Sequence, residues 1–204
     1  MKKLLVVFFA VLMIGVGIEA GTKYPVVRME TNKGDVILEL YSDKAPVSVE
    51  NFLAYTKEGF YNGTIFHRVI KDFMVQGGGF VTGLKQRRPS RVAIENEAHN
   101  KIENKRGTVA MARTSVIDSA TAQFFINLVD NDFLNYRNNT RQGYGYAVFG
   151  KVISGMDIID EIGEVKTTRV GQYMDVPRED VVIKKVVVLR MPEKKKAKAI
   201  SKPK

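Results

Sequence analysis

The chain contains no cysteine, and that absence excludes disulfides, thiolate nucleophiles and cysteine-ligated metals together. It also has no tryptophan and only two histidines, His67 and His99. These lie too far apart in sequence to be the closely spaced helical pair that grips a zinc ion, so the sequence gives little support for a metal site. Asp118, Ser119 and His99 are not accompanied by a Gly-x-Ser-x-Gly elbow, which removes the case for a hydrolase triad. The glycines at 77–79 are followed by Phe80 rather than by Gly-Lys-Ser/Thr, so backbone freedom explains them better than a phosphate cradle. The apolar run at 4–17 is shorter than the roughly 20 residues that cross a bilayer.

What the chain does have is basic charge and enough apolar residues for one substantial core. The formal net charge is +10 over 204 residues, of which 45% are hydrophobic. Much of that charge sits at the ends: residues 1–20 carry Lys2 and Lys3 against Glu19, and residues 193–204 carry six lysines against Glu193. The remaining body is only weakly basic and shows no aromatic-basic interleaving, so no specific nucleic-acid surface is expected.

Met1-Lys2-Lys3, the apolar run and Ile18-Glu19-Ala20 form the pattern of a secretory signal peptide over 1–20. Cleavage is expected after Ala20, with Gly17 as the alternative. Export to the periplasm follows, and an uncleaved leader tethering the chain to the membrane is the alternative. At the other end, 192–204 is a Lys-rich flexible tail, read first as solvated and second as a weak contact with anionic surfaces. A single domain over 21–191 lies between, expected as a monomer without cofactors.

Within that domain, residues 24–30 and 35–41 are strand-like runs around Thr31-Asn32-Lys33-Gly34, predicting a hairpin. Residues 47–58 place Val49, Phe52, Leu53 and Thr56 at helical spacing, with Pro46 before them and Gly59 after. The polar stretch 83–104 reads as a long surface excursion. Strand-like runs resume at 108–112, 123–129, 147–152 and 181–189, with a second helix over 156–162. Many short strands with two helices predict a mainly β, antiparallel sheet or barrel, because parallel strands would need a helix at each crossover.

The most informative stretch is 66–80. Runs at 65–70 and 73–76 meet at Lys71-Asp72 and are closed by the three glycines, a hairpin-like unit. Alternation puts Arg68 on one side with Phe66 and Ile70, and Met74 with Gln76; His67 faces away from Arg68 and is read as structural. No acid or activated nucleophile lies in either strand run, so chemistry on this surface works by binding and electrostatics.

Several separated runs then share one resemblance. Phe66-His67-Arg68-Val69-Ile70, Phe73-Met74-Val75-Gln76-Gly77-Gly78, Ala110-Met111-Ala112-Arg113, Gln123-Phe124-Phe125-Ile126 and Val148-Phe149-Gly150-Lys151-Val152 resemble, in order, the signature segments of the cyclophilins. These are the cyclosporin-type peptidyl-prolyl cis-trans isomerases, and the leader makes the exported bacterial branch the best match.

The resemblance implies a closed eight-stranded antiparallel β-barrel capped by two α-helices, where element count alone fits several all-β folds. It places the catalytic arginine on Arg68 and the proline pocket on Phe73, Met74, Phe125 and Leu134. Gln76 and Gln123, with the backbone near Ala112 and Arg113, would hold the peptide. The expected partners are proline-containing unfolded or flexible polypeptides. Phe133 stands where many members have Trp and Tyr146 where many have His, so the rim changes shape and weak or no cyclosporin binding is expected. Arg113 replaces a common Asn and Ala122 a common Ser or Thr, which leaves the preference for the residue before proline open. A proline-binding or chaperone module with negligible turnover is the rival expectation.

Overall fold

The computed structural model describes residues 23–192. The leader and all but the first residue of the Lys-rich tail lie outside these residues. Among the described residues, no helix is long and apolar enough to cross a membrane.

The first two strands follow the alternation of apolar residues. The expected first hairpin forms from β1 (Val26–Thr31) and β2 (Asp35–Leu40). Helix α1 (Pro46–Lys57) starts with its proline in the first turn, where a missing N–H costs nothing, and Gly59 follows it at φ 67°. Then come β3 (Thr64–Ile70), β4 (Met74–Val81), the two-residue β5 (Lys85–Gln86), β6 (Thr108–Met111), β7 (Phe124–Asn127) and β8 (Val148–Ser154). Helix α2 (Met156–Gly163) precedes β9 (Thr167–Val170), β10 (Tyr173–Pro177) and β11 (Val182–Arg190).

Eight strands pair in the order β3-β11-β1-β2-β8-β6-β7-β4, and β4 pairs again with β3. That last pairing closes the sheet into a barrel, which removes its edges. β5 adds to the β4 border, and β9 and β10 form a separate hairpin.

Alternation sends one set of side chains inside: Val27, Met29, Leu38, Phe66, Val75, Val109, Phe124, Ile126, Phe149 and Ile183 form one buried cluster with residues of both helices. Phe52 of α1 lies 5.6 Å from Phe124 and 5.4 Å from Phe149, ring centre to ring centre. Helix α1 follows the Leu40 end of β2, while Gly155 at the start of α2 lies against Asp35 and Val36 at its other end. The two helices thus close opposite openings of the barrel.

The 83–104 stretch departs from the reading as a surface excursion, because Asn96, Glu97 and Ala98 are buried. The Glu97 carboxylate accepts from Val47 N at 3.0 Å, Ser48 N at 2.8 Å and Ser48 Oγ at 2.7 Å. It satisfies the orphan amides at the start of α1, where Ala45 has no side-chain acceptor of its own.

Candidate active site

The opposite face of the same strands carries a second apolar cluster. Met74, Ala110, Phe125, Leu134 and Val148 are buried there, with Ile70, Phe73, Ala112 and Tyr146 packed around them. The strand residues alternate with interior neighbours: Phe125 lies between Phe124 and Ile126, and Ala110 between Val109 and Met111. This outer patch exists because β4, β6, β7 and β8 are apolar on both faces, and Leu134 covers part of it from a short 3-10 turn, Asp132–Leu134.

One row of ladder partners crosses the patch. Arg68 of β3 pairs with Gln76 of β4, Gln76 with Phe125 of β7, Phe125 with Ala110 of β6, and Ala110 with Val148 of β8. The position of Arg68 in this row corrects simple alternation. Phe66 pairs with Gly77 and Arg68 with Gln76, so His67 is an extra residue on β3. This β-bulge leaves Phe66 in the interior and turns Arg68 outward beside Gln76, rather than leaving the two on one side.

His67 is buried against the ring of Phe80, with centroids 4.5 Å apart, and its Nδ1 has no hydrogen-bond partner. Burial pushes its pKa down to about 4, so it is neutral at physiological pH. The glycines also differ from expectation. They do not close β4, which runs through them to Val81. A Cβ on Gly79 would lie 2.5 Å from Gln123 Cδ, so the bare backbone gives Gln123 room.

Nine of the expected residues line one shallow cavity of about 120 Å³: Arg68, Phe73, Met74, Gln76, Ala112, Arg113, Phe125, Leu134 and Tyr146. Gln123 stands behind them and accepts a hydrogen bond from Gln76 Nε2 at 2.9 Å through its Oε1. Phe133 is at the rim, 62% exposed and stacked on Phe73 at 5.5 Å. Arg113 is immobilised: its Nε donates to Gly145 O at 2.9 Å, its Nη1 to Thr114 O at 3.0 Å, and its guanidinium lies 4.8 Å over the Tyr146 ring. It forms part of the wall.

A buried amide network with no sequence motif lies behind the cavity. Asn131 Nδ2 donates to Phe73 O at 3.0 Å and to Asn127 Oδ1 at 2.8 Å. Asn104 Nδ2 donates to Leu134 O at 3.2 Å, and Asn127 Nδ2 to Asn104 Oδ1 at 3.3 Å. The backbone at Phe73 and Leu134, two walls of the cavity, is thus tied to one set of side chains, which fixes their spacing.

The other group missed in the sequence is Asp175 on β10. Its Oδ2 is 3.5 Å from Arg68 Nε. Among the described residues no other group engages the Arg68 guanidinium, which leaves its terminal nitrogens as free donors beside an apolar recess. Such a site can grip a ring and donate hydrogen bonds, and it contains no nucleophile.

Comparison with known proteins agrees with this geometry. Residues 26–188 match the family model for cyclophilin type peptidyl-prolyl cis-trans isomerases. The chain is 56% identical over 162 residues to peptidyl-prolyl cis-trans isomerase B of Escherichia coli, covering 79% of this chain and 98% of that one. It is 50% identical over 171 residues to peptidyl-prolyl cis-trans isomerase A of Dickeya dadantii, covering 84% and 88%. A crystal structure of a cyclophilin type peptidyl-prolyl cis-trans isomerase of Cryptosporidium parvum superposes with a TM-score of 0.67 at 27% identity, covering 83% of this chain and 99% of that one. A second structure of that protein, in the presence of the dipeptide Ala-Pro, gives a TM-score of 0.66, covering 80% and 98%. The chain belongs to the cyclophilin-type peptidyl-prolyl cis-trans isomerases and is an enzyme of that class.

Proposed function

We propose that the chain accelerates rotation about X–Pro bonds in unfolded or flexible polypeptides during folding outside the cytoplasm, with Arg68 as the catalytic donor. The observation that carries this reading is the row Arg68, Gln76, Phe125 beside a cavity walled by Phe73, Met74 and Leu134. The cavity is far smaller than the roughly 300–1,000 Å³ of drug-sized sites, a size suited to a single ring. The Ala-Pro dipeptide used with the related Cryptosporidium parvum protein has chemistry that fits the same kind of recess.

The reaction breaks no covalent bond. Resonance gives the peptide C–N bond a rotation barrier of about 18–20 kcal/mol. As the bond twists, the prolyl nitrogen becomes pyramidal and its lone pair localises, becoming an acceptor that the planar ground state lacks. A hydrogen bond from an Arg68 terminal nitrogen therefore strengthens in the twisted state, which is the selective stabilisation catalysis requires. Arginine keeps its proton at any physiological pH, so the donor is always charged. The recess holds the ring while Gln76, fixed by Gln123, and the backbone near Ala112 hold the chain on either side. A 10⁵-fold acceleration corresponds to about 7 kcal/mol, within reach of positioning and electrostatics together.

Export rests on the leader alone. The test of the activity is a protease-coupled proline-peptide assay on the purified protein, in which a rate equal to the uncatalysed one would refute the proposal.

A further inference from the structure

We propose that Asp175 is a positioning residue that orients the Arg68 guanidinium, an assignment that rests on reading Arg68 as the donor. Two bulges converge on this pair. On β3, the extra residue His67 turns Arg68 outward. On β10, Tyr173 pairs with Val170 but Val176 pairs with Thr168, three steps along one strand against two along the other. The extra length falls at Met174 and Asp175, and Asp175 takes a left-handed backbone at φ 59°. Bulges that re-aim a side chain concentrate beside active sites, and aspartate is among the few residues that tolerate this conformation.

The bulge does not serve apolar burial, since it leaves Met174 62% exposed. It brings the Asp175 carboxylate to 3.5 Å from Arg68 Nε. The hairpin is docked to the same place by rings: Tyr173 meets Phe80 edge-on at 5.3 Å, and Phe80 packs on the bulged His67 at 4.5 Å. Both partners of the acid–arginine pair are therefore held from one aromatic stack.

The chemistry follows from which nitrogen is engaged. At 3.5 Å the contact is an ion pair rather than a short hydrogen bond, so it orients without consuming a strong donor. It lies on the Nε side and leaves the terminal nitrogens for the substrate. A free arginine side chain samples many rotamers, so a carboxylate that narrows its range raises the fraction of time the donor is in place. Both side chains are partly exposed, at 43% and 33%, which makes the effect modest.

The test uses the full-length protein and the proline-peptide assay. Asp175→Asn keeps the size and the left-handed backbone and removes the charge. It should lower kcat by about three- to fivefold, the scale of an exposed ion pair, with KM within about twofold and an unchanged thermal midpoint. In an Arg68→Ala background, assayed with more enzyme to keep the catalysed rate measurable, Asp175→Asn should cause no further loss. A residue that merely fastens the hairpin would give the same loss in both backgrounds, and that result overturns the assignment, as does wild-type kcat in Asp175→Asn. If Arg68→Ala is itself fully active, the donor reading falls and Asp175 falls with it. If Arg68→Ala is inactive and Asp175→Asn is unimpaired, the assignment of Asp175 alone falls.

Discussion

Arg68 is the ladder partner of Gln76, although Phe66, two residues earlier, partners the adjacent Gly77. That single extra residue sets the outward position of the proposed donor. It also explains why His67, beside Arg68 in sequence, is buried under Phe80 instead of joining the site.

The buried histidine makes stability depend on pH. Its folded pKa of about 4 lies below the unfolded value near 6.5, so the unfolded state binds the proton more readily. Stability is therefore full above pH 6.5, declines as pH falls toward 4, and loses about 3 kcal/mol in all by linkage. Urea unfolding across this range should show a slope in the native protein that His67→Phe reduces. Identical pH dependence in the two proteins would contradict the account.

Glu97 makes a second, independent prediction. Its carboxylate caps α1 with two backbone amides and a hydroxyl, and it stands apart from the residues that line the cavity. Glu97→Gln removes the charge at a helix N-terminus and should cost about 1–2 kcal/mol in urea unfolding, with kcat/KM unchanged. An unchanged unfolding midpoint would show that the carboxylate contributes nothing to the helix start.

Phe133 bears on drug binding. It stacks on Phe73 at the rim with no N–H to donate, where the family resemblance places tryptophan in many members. Cyclosporin should bind weakly by calorimetry, and Phe133→Trp should tighten it by about fivefold, the value of one added hydrogen bond. Nanomolar binding by the native protein would be the contrary result.

The elements set by local rules were legible in the sequence. Pro46 and Gly59 bracket α1, alternation marks β1 and β2, and β6 and β7 read as short apolar runs. Nine of the eleven expected site residues line one cavity, and seven of those nine fall in the five quoted runs, Leu134 and Tyr146 being the exceptions. What escaped depends on geometry without a local signal. β9 is polar and mostly exposed, so it shows no apolar alternation. A bulge changes which side a residue faces without changing the sequence pattern, which is why alternation alone groups Arg68 with Phe66. Glu97, Asn104 and Asn131 act on residues 30 to 58 positions away, beyond the reach of any motif.

The central claim is that a charged donor at Arg68, and no nucleophile, carries the rotation. Arg68→Ala tests it directly when kcat, KM and the thermal midpoint are measured together on the same preparation. The account predicts a kcat lower by about 10²–10³-fold, the loss typical of removing one transition-state donor, with KM and the midpoint little changed. Turnover within about threefold of the native enzyme, far short of a lost transition-state donor, would contradict it.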